Sequence, residues 1–339
     1  MKILFVGGTG LISTACTELA VAQGHELMHM NRGKRNATPM KGVKLLQADI
    51  RDPGEEARLA LGRLEFDAVV DWIAFTPEHV RKDIELFGGR AAQYVFISSA
   101  SAYQKPPKHY VITEETPLEN PFWEYSRQKA ACEKLLMETW AAAKFPATIV
   151  RPSLTFGNPV IPLAVSCWNR PWTIVKRIRE GRPLIVPGDG TSLWPITHNT
   201  DFATGLQGLL GNPKTLGEAF HITTGEALTW NQIYERTAEA CGAKLNAVHI
   251  SSDFLTAFDP HLEGSLLGDK AHTTVFDNSK LKRFVPGWEA KVPYAEGVRR
   301  SVAWLSADPA RQGLDPATEA AWDRIIAAHE SGKALARQA

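Results

Sequence analysis

Tyr125 and Lys129 stand four residues apart in the segment EYSRQKAACEKLL, a spacing that puts both on one face of a helix, about one turn apart. An ammonium beside a phenol favours the phenolate and lowers its pKa. A tyrosine tuned in this way donates or accepts a proton on a substrate hydroxyl or carbonyl while a hydride moves. Alone, the pair would suit an ordinary helix surface. It gains force from YVFISSASAY, a short apolar strand whose C-terminal end presents Ser98 and Ser99, because an open parallel sheet binds ligands at that end.

A second cluster opens the chain. FVGGTGLIST carries Gly7, Gly8 and Gly10 behind a short apolar run. Gly7 permits a tight turn, and Gly10 lets the backbone approach a pyrophosphate that meets the positive end of a helix. Thr9, Leu11 and Ile12 complete the cradle. A third glycine would let helix and strand pack closely, and Ser13 takes its place, which reads as a working loop with a relaxed packing position. A plain glycine-rich turn is the competing reading; a strand before, a helix after and a second strand ending near residue 31 favour the dinucleotide. At the tip of that strand, MNRGKR sets the neutral Asn31 where an acid would accept from the adenosine ribose. Arg32, Lys34 and Arg35 add positive charge that suits a 2′-phosphate. NADP is therefore favoured over NAD, with a solvated basic turn as the bland alternative.

The elements that must position these residues are legible as alternating signals. KILFV, ELMHM, VKLLQAD, FDAVVDWIAF, YVFISS and ATIVRPS read as short buried strands separated by helical stretches. This is the pattern of a Rossmann-type, doubly wound parallel α/β sheet. After about residue 155 the pattern loosens, so a smaller C-terminal substrate-binding lobe is expected. The division is 1–155 for the dinucleotide domain, with parts of 186–235 returning to it, and 156–339 mainly for the lobe. EAFHITT reads as a further strand, TWNQIYERTAEACG as a helix capped by Thr229, and Asp315-Pro316 as a helix start with Gly332 as its stop.

Composition bounds the partners. The chain has 339 residues, is 44% hydrophobic and carries a formal net charge of +1, so nothing marks its surface for nucleic acid or membrane. Cys16, Cys132, Cys167 and Cys241 show no metal or C-x-x-C spacing and read as buried, reduced thiols of a cytoplasmic protein. No metal is expected, and no stretch suits a signal peptide or a bilayer span. A small-molecule substrate is the expected partner; a homodimer stays open.

Taken together, GGTG, Asp49 in QADIRD, VVDWIAF, FISSASAY, the Tyr125/Lys129 pair, IVRPSLTFG, VPGDGTSLWPITHNTDFA, DNSKLKRFVPGW and EGVRRSVAW resemble the extended, atypical short-chain dehydrogenase/reductase superfamily of the NAD(P)-dependent epimerase/dehydratase type. The resemblance implies Tyr125 as general acid/base, Lys129 on the nicotinamide ribose and Ser99 on the substrate oxygen. It implies Asp49 and Ile50 beside the adenine, Ala74 at the cofactor's middle, and Pro152 near the nicotinamide. Val6, Ser13, Asp71 and Trp72 depart from the family pattern, toward an atypical branch near the chloroplast stem-loop-binding-type proteins. Ala100 and Ser101 stand where 4,6-dehydratases need an Asp-Glu pair and decarboxylating members a glutamate, which argues against both reactions. The expected activity is an oxidoreductase or epimerase on a hydroxyl or keto group of a sugar or nucleotide sugar. The alternative is a non-catalytic nucleotide-sensing or RNA-associated member.

At the substrate end, Trp194 stands where nucleotide-sugar members usually offer an arginine to a diphosphate. Arg177, Arg179 or Arg182 are candidate replacements. Trp123 and Trp194, with Trp168 and Trp172, are candidates to stack on a sugar, each weighed against simple core packing. His198 and Asp201 are expected to fix a helix start.

Overall fold

The computed structural model describes residues 1–34, 40–52 and 55–338. Seven strands form its central sheet: β1 (Lys2–Val6), β2 (Glu26–Asn31), β3 (Val43–Gln47), β4 (Ala68–Asp71), β5 (Tyr94–Ile97), β6 (Ala147–Pro152) and β7 (Ala219–Ile222). All pair in parallel, in the order β7-β6-β5-β4-β1-β2-β3. Because every pair is parallel, the carboxyl ends of all strands share one edge. The order reverses between β1 and β4, and that crevice is where such sheets bind ligands.

The strands alternate between two faces, as the pleat requires. Ile3 and Phe5 of β1 pack with Phe202 and Leu206, whereas Leu4 and Val6 pack with Cys132 and Leu136. Helices α1 (Leu11–Ala22), α2 (Pro77–Phe87), α3 (Glu124–Ala143), α4 (Trp172–Arg179), α5 (Asn199–Leu209), α6 (Trp230–Ala240) and α7 (Pro316–Ala336) follow the chain. α1 and α5 cover one face of the sheet; α2 and α3 cover the other. A third core, with Ile174, Trp194, Trp230, Tyr234 and Trp322 fully or nearly buried, belongs to the C-terminal region. There Leu184–Pro187 pairs with Ala247–Ile250 in a small parallel ladder.

Local signals explain most helix ends. Gly24, at φ +76°, follows α1. Thr229 accepts from the Gln232 N–H at the start of α6, and Asp315 accepts from the Thr318 N–H ahead of α7. Gly332 is not a stop: α7 runs through it to Ala336, since one glycine in a helix interior costs only about 1 kcal/mol. The four cysteines are buried and unpaired. Among the described residues no helix is long and apolar enough to cross a membrane.

Candidate active site

The glycine loop follows β1 directly. Gly7 and Gly8 adopt φ of +98° and +83°, a region that favours glycine. A side chain at Gly8 would also collide with the His29 ring at 2.8 Å. His29 is a buried floor for the loop: it bonds Thr17 Oγ1 at 2.9 Å, and burial lowers its pKa to about 4. Ser13 does more than fill a packing position. Its hydroxyl accepts from the Gly10 N–H at 2.8 Å and donates to the Gly10 carbonyl at 3.3 Å, closing the first turn of α1. Asn31 donates to the Gly7 carbonyl at 3.2 Å, so the tip of β2 braces the loop.

The site fits a dinucleotide in its backbone. At Gly10 an added Cβ would meet only Ser13 Oγ, at 3.5 Å, leaving the bare backbone open to close approach. The N–H groups of Leu11 and Ile12 lie in the first turn of α1, where a helix offers no partner of its own. Thr9 is half-buried beside them. Asp49 and the buried Ile50 follow β3, and Arg32 at the tip of β2 reaches Asp49 Oδ2 at 3.7 Å. Arg35 lies outside the described residues.

Asp71 and Trp72, which departed from the family pattern, have structural work. Asp71 accepts from the N–H groups of Ile73 at 2.6 Å and Ala74 at 2.8 Å, fixing the turn after β4. Its other oxygen takes Arg51 Nη2 at 2.5 Å, and Arg51 Nη1 bonds Asp83 at 2.7 Å. Tyr94 also donates to Asp83, at 2.7 Å. Trp72 packs edge-on against Phe5.

Ser98 and Ser99, adjacent at the end of β5, part company. Ser98 donates to Glu133 in a buried network, where Glu133 pairs with Arg151 at 2.6 Å and Arg151 with the Tyr103 hydroxyl at 2.9 Å. Ser99 lines a cleft with Tyr125 and Pro152. Its hydroxyl lies 2.9 Å from that of Ser101, which accepts from Ser126 at 2.8 Å. Trp123, immediately before α3, packs against the Tyr125 ring at 5.2 Å.

Lys129 sits where the spacing predicts, yet its electrostatic effect differs. Its ammonium donates to the carbonyls of Ala74 and Ile97, each at 2.7 Å, and lies 5.8 Å from the centre of the Tyr125 ring. Burial lowers its own pKa to about 8. The Tyr125 pKa is raised, not lowered: burial raises it, a Ser99 hydrogen bond opposes this, and the Asp269 charge adds to it. The spacing could not show that the lysine is tied down by two carbonyls.

The cleft has a volume of about 370 Å³. Trp194 contributes to its wall while 2% exposed and stacked on Trp230 at 6.0 Å, so it serves core and cleft together. None of the three candidate arginines lines the cleft. Arg177 is buried, donating to the Pro183 carbonyl at 2.7 Å and to Asp323 at 2.6 Å. Arg179 bonds the Cys241 carbonyl at 3.2 Å, and Arg182 pairs with Glu319 and Asp323, both at 2.6 Å. They join α4 and the segment after it to neighbouring elements, and Trp172 stacks under Arg179. Trp168 lines the cleft. His198 caps α5, accepting from the Thr200 N–H, and Asp201 accepts from the Val292 N–H at 2.9 Å.

Sequence reasoning missed Asp269 and Lys270, which enter the cleft from a π-helical turn, Leu266–Lys270. Such turns are frequent at functional sites, but no local sequence signal announces one. Their presence also means that a cleft without an acid at positions 100 and 101 still contains one, Asp269.

Residues 84–223 match the NAD dependent epimerase/dehydratase family. The chain is 24% identical over 296 residues to 2'-dehydrokanamycin reductase from Streptomyces kanamyceticus, covering 86% of this chain and 81% of that one. It is 28% identical over 257 residues to chloroplast stem-loop binding protein of 41 kDa b from Arabidopsis thaliana, covering 71% of this chain and 63% of that protein. In fold it is similar to dTDP-glucose 4,6-dehydratase from Bacillus anthracis, solved in complex with NAD. The TM-score is 0.71 at 19% identity, over 92% of this chain and 98% of the other. The likeness to that structure is one of fold.

Proposed function

We propose that this chain, a protein of the NAD-dependent epimerase/dehydratase family, is an NAD(P)-dependent oxidoreductase or epimerase acting on a hydroxyl or keto group of a sugar or sugar-like substrate. The observation that carries this reading is convergence. Ser99 and Tyr125 open into one cleft, and Lys129 bonds the backbone at the ends of β4 and β5, on the sheet edge that also carries the glycine loop.

A bound nicotinamide dinucleotide would supply hydride chemistry. The chain's own residues handle the proton. Tyr125, its pKa raised by burial, rests as a neutral phenol, ready to donate to a carbonyl oxygen. Ser99 holds that oxygen with its hydroxyl. Lys129, with two protons fixed on Ala74 and Ile97, keeps a third for the nicotinamide ribose. The resting site is thereby set for reduction, and an epimerase would use the same phenol twice. Arg32 would take a 2′-phosphate in place of Asp49, favouring NADP. Gly7, Thr9, Gly10, Leu11, Ile12, Asn31, Asp49, Ile50, Ala74 and Pro152 would hold the rest of the cofactor, with Trp123 and Trp194 on the substrate. A nucleotide-sensing or RNA-associated role would leave the Ser99–Tyr125–Lys129 set without work.

The test is to supply NADPH or NADH with a panel of keto sugars, and NADP or NAD with the corresponding hydroxyl sugars, and to identify the products by mass and by chromatography against standards, since epimers share one mass. A product heavier or lighter by two hydrogens, or an isomer of its substrate, is expected. Loss of water or carbon dioxide would make the protein a dehydratase or decarboxylase instead, and no conversion with either cofactor would overturn the reading.

A further inference from the structure

Three serine hydroxyls run in line from the interior to the cleft. Ser126 Oγ donates to Ser101 Oγ at 2.8 Å. Ser101 Oγ lies 2.9 Å from Ser99 Oγ, and the Ser101 N–H donates to the same Ser99 oxygen at 3.2 Å. Ser99, Ser101 and Tyr125 line the cleft. Ser126, fully buried, stands behind them, one residue along α3 from Tyr125.

A serine hydroxyl has one proton to give. Ser101 Oγ takes that of Ser126, and its other bonded neighbour among the described residues is Ser99 Oγ, so its own proton goes there. The reverse arrangement would leave the Ser101 proton without an acceptor in a residue only 5% exposed, which is unfavourable. Ser99 Oγ then accepts twice, from the Ser101 N–H and O–H, and its proton is left to point away from both. Accepting a hydrogen bond also polarises a hydroxyl and strengthens it as a donor. The frame around the three is fixed. Ser99 caps the 3₁₀ turn Ala100–Ala102. The Asn120 amide donates to the carbonyls of Ser101 and Gly268, both at 2.7 Å, tying that turn to the π-helical turn across the cleft.

We propose that Ser126, acting through Ser101, is a positioning residue for the reaction: it commits the Ser99 hydroxyl to donate into the cleft, where it and the Tyr125 phenol offer one proton each to a substrate carbonyl oxygen. This inference rests on the oxidoreductase or epimerase reading of the cleft. A carbonyl oxygen has two lone pairs and accepts both protons. α3 thus reaches the substrate oxygen by two routes, directly from Tyr125 and from behind through Ser126, Ser101 and Ser99.

Ser126→Ala tests this, because it removes the first proton of the line and leaves the cleft wall in place. Alanine is a better helix former than serine, so the melting temperature should hold. Ser101 is then free to accept the Ser99 proton, and Ser99 donates outward less. In the empty cleft the outward acceptor is the Tyr125 oxygen, whose phenolate a donated proton stabilises. The phenolate transition of Tyr125, read as the absorbance difference from the same protein carrying Tyr125→Phe, should therefore move to higher pH in Ser126→Ala. The charged groups around the phenol, Lys129 on α3 and Asp269 and Lys270 on the π-helical turn, are the same in both proteins. On a keto sugar that the native protein reduces, turnover should fall about 5-fold, the worth of one ordinary hydrogen bond, at unchanged cofactor affinity. With Ser99→Ala already made, Ser126→Ala should change neither readout further, as residues acting through one contact require. An unmoved phenolate transition, unchanged turnover, or equal effects with and without Ser99 would each overturn the relay and leave the oxidoreductase reading standing. Failure of the native protein to convert any substrate would strike that reading instead, and the phenolate titration, which needs neither substrate nor cofactor, still decides the relay.

Discussion

Tyr125 holds its proton more tightly than a solvated phenol, first through burial, against a Ser99 hydrogen bond, and with the Asp269 charge adding to the effect. Its phenolate should therefore form above the ordinary tyrosine range when no cofactor is bound. The difference in phenolate absorbance between the native protein and Tyr125→Phe measures this directly, and Asp269→Asn should bring the transition to lower pH. A native transition at or below the ordinary value of about 10 would contradict it. Arg32 offers a second test at this scale. It is largely exposed and reaches Asp49 at 3.7 Å, so a 2′-phosphate can draw it away at little cost. Arg32→Ala should weaken NADP binding about 10-fold, in line with one charge-assisted contact, and leave NAD binding unchanged. Equal losses for both cofactors, followed by fluorescence titration, would remove Arg32 from the choice. Residue types and spacing put forward Tyr125, Lys129 and the Ser98–Ser99 pair as candidates, and the family resemblance selected Ser99. They could not show the direction of the Tyr125 shift, since burial in the folded cleft sets it, with Asp269, far downstream in the chain, adding to it.

The glycine loop and the tip of β2 behave as one element. His29 lies beneath Gly8, Asn31 holds Gly7, and Ser13 closes the turn onto Gly10. Gly8→Ala should destabilise the fold by about 1–3 kcal/mol, from a Cβ against the imidazole and a strained φ, and should weaken both cofactors together; thermal melts and titration check it. Acid should loosen the same element. Burial holds His29 at about 4, below the ~6.5 of a free histidine, and does the same to His221 on β7, which lies outside this loop against the Tyr103 hydroxyl at 3.0 Å. Between those values the unfolded chain binds protons that the folded chain refuses. The stability tied to each imidazole is complete above about pH 6.5 and is lost as the pH falls toward 4, by up to roughly 3 kcal/mol per group. Melting temperatures between about pH 7 and 4.5 should fall, and His29→Gln should flatten part of that fall. Strands and caps were readable here because alternation, Thr229 and Asp315 act locally. The brace under the loop was not, because it depends on strand pairing that sets His29 opposite Phe5.

Across the whole molecule, a parallel sheet gathers the ends of β1 to β6 on one edge, and the C-terminal region closes over part of it with Trp194, Asp269 and Lys270. The sheet was legible from six apolar runs and their spacing. The cleft was not. Its far wall is a π-helical turn locked by Asn120, and the arginines that looked available to a substrate are spent on packing α4 and α7. The central claim is that Tyr125 moves the substrate proton at a cofactor-binding edge. The most direct measurement is turnover of Tyr125→Phe beside the native protein, on a keto sugar that the native protein reduces, with cofactor affinity taken on the same samples. Loss of one oxygen should cut turnover at least ~10²-fold, as expected for a general acid, with cofactor binding and melting temperature nearly unchanged. Full turnover by Tyr125→Phe would contradict the account.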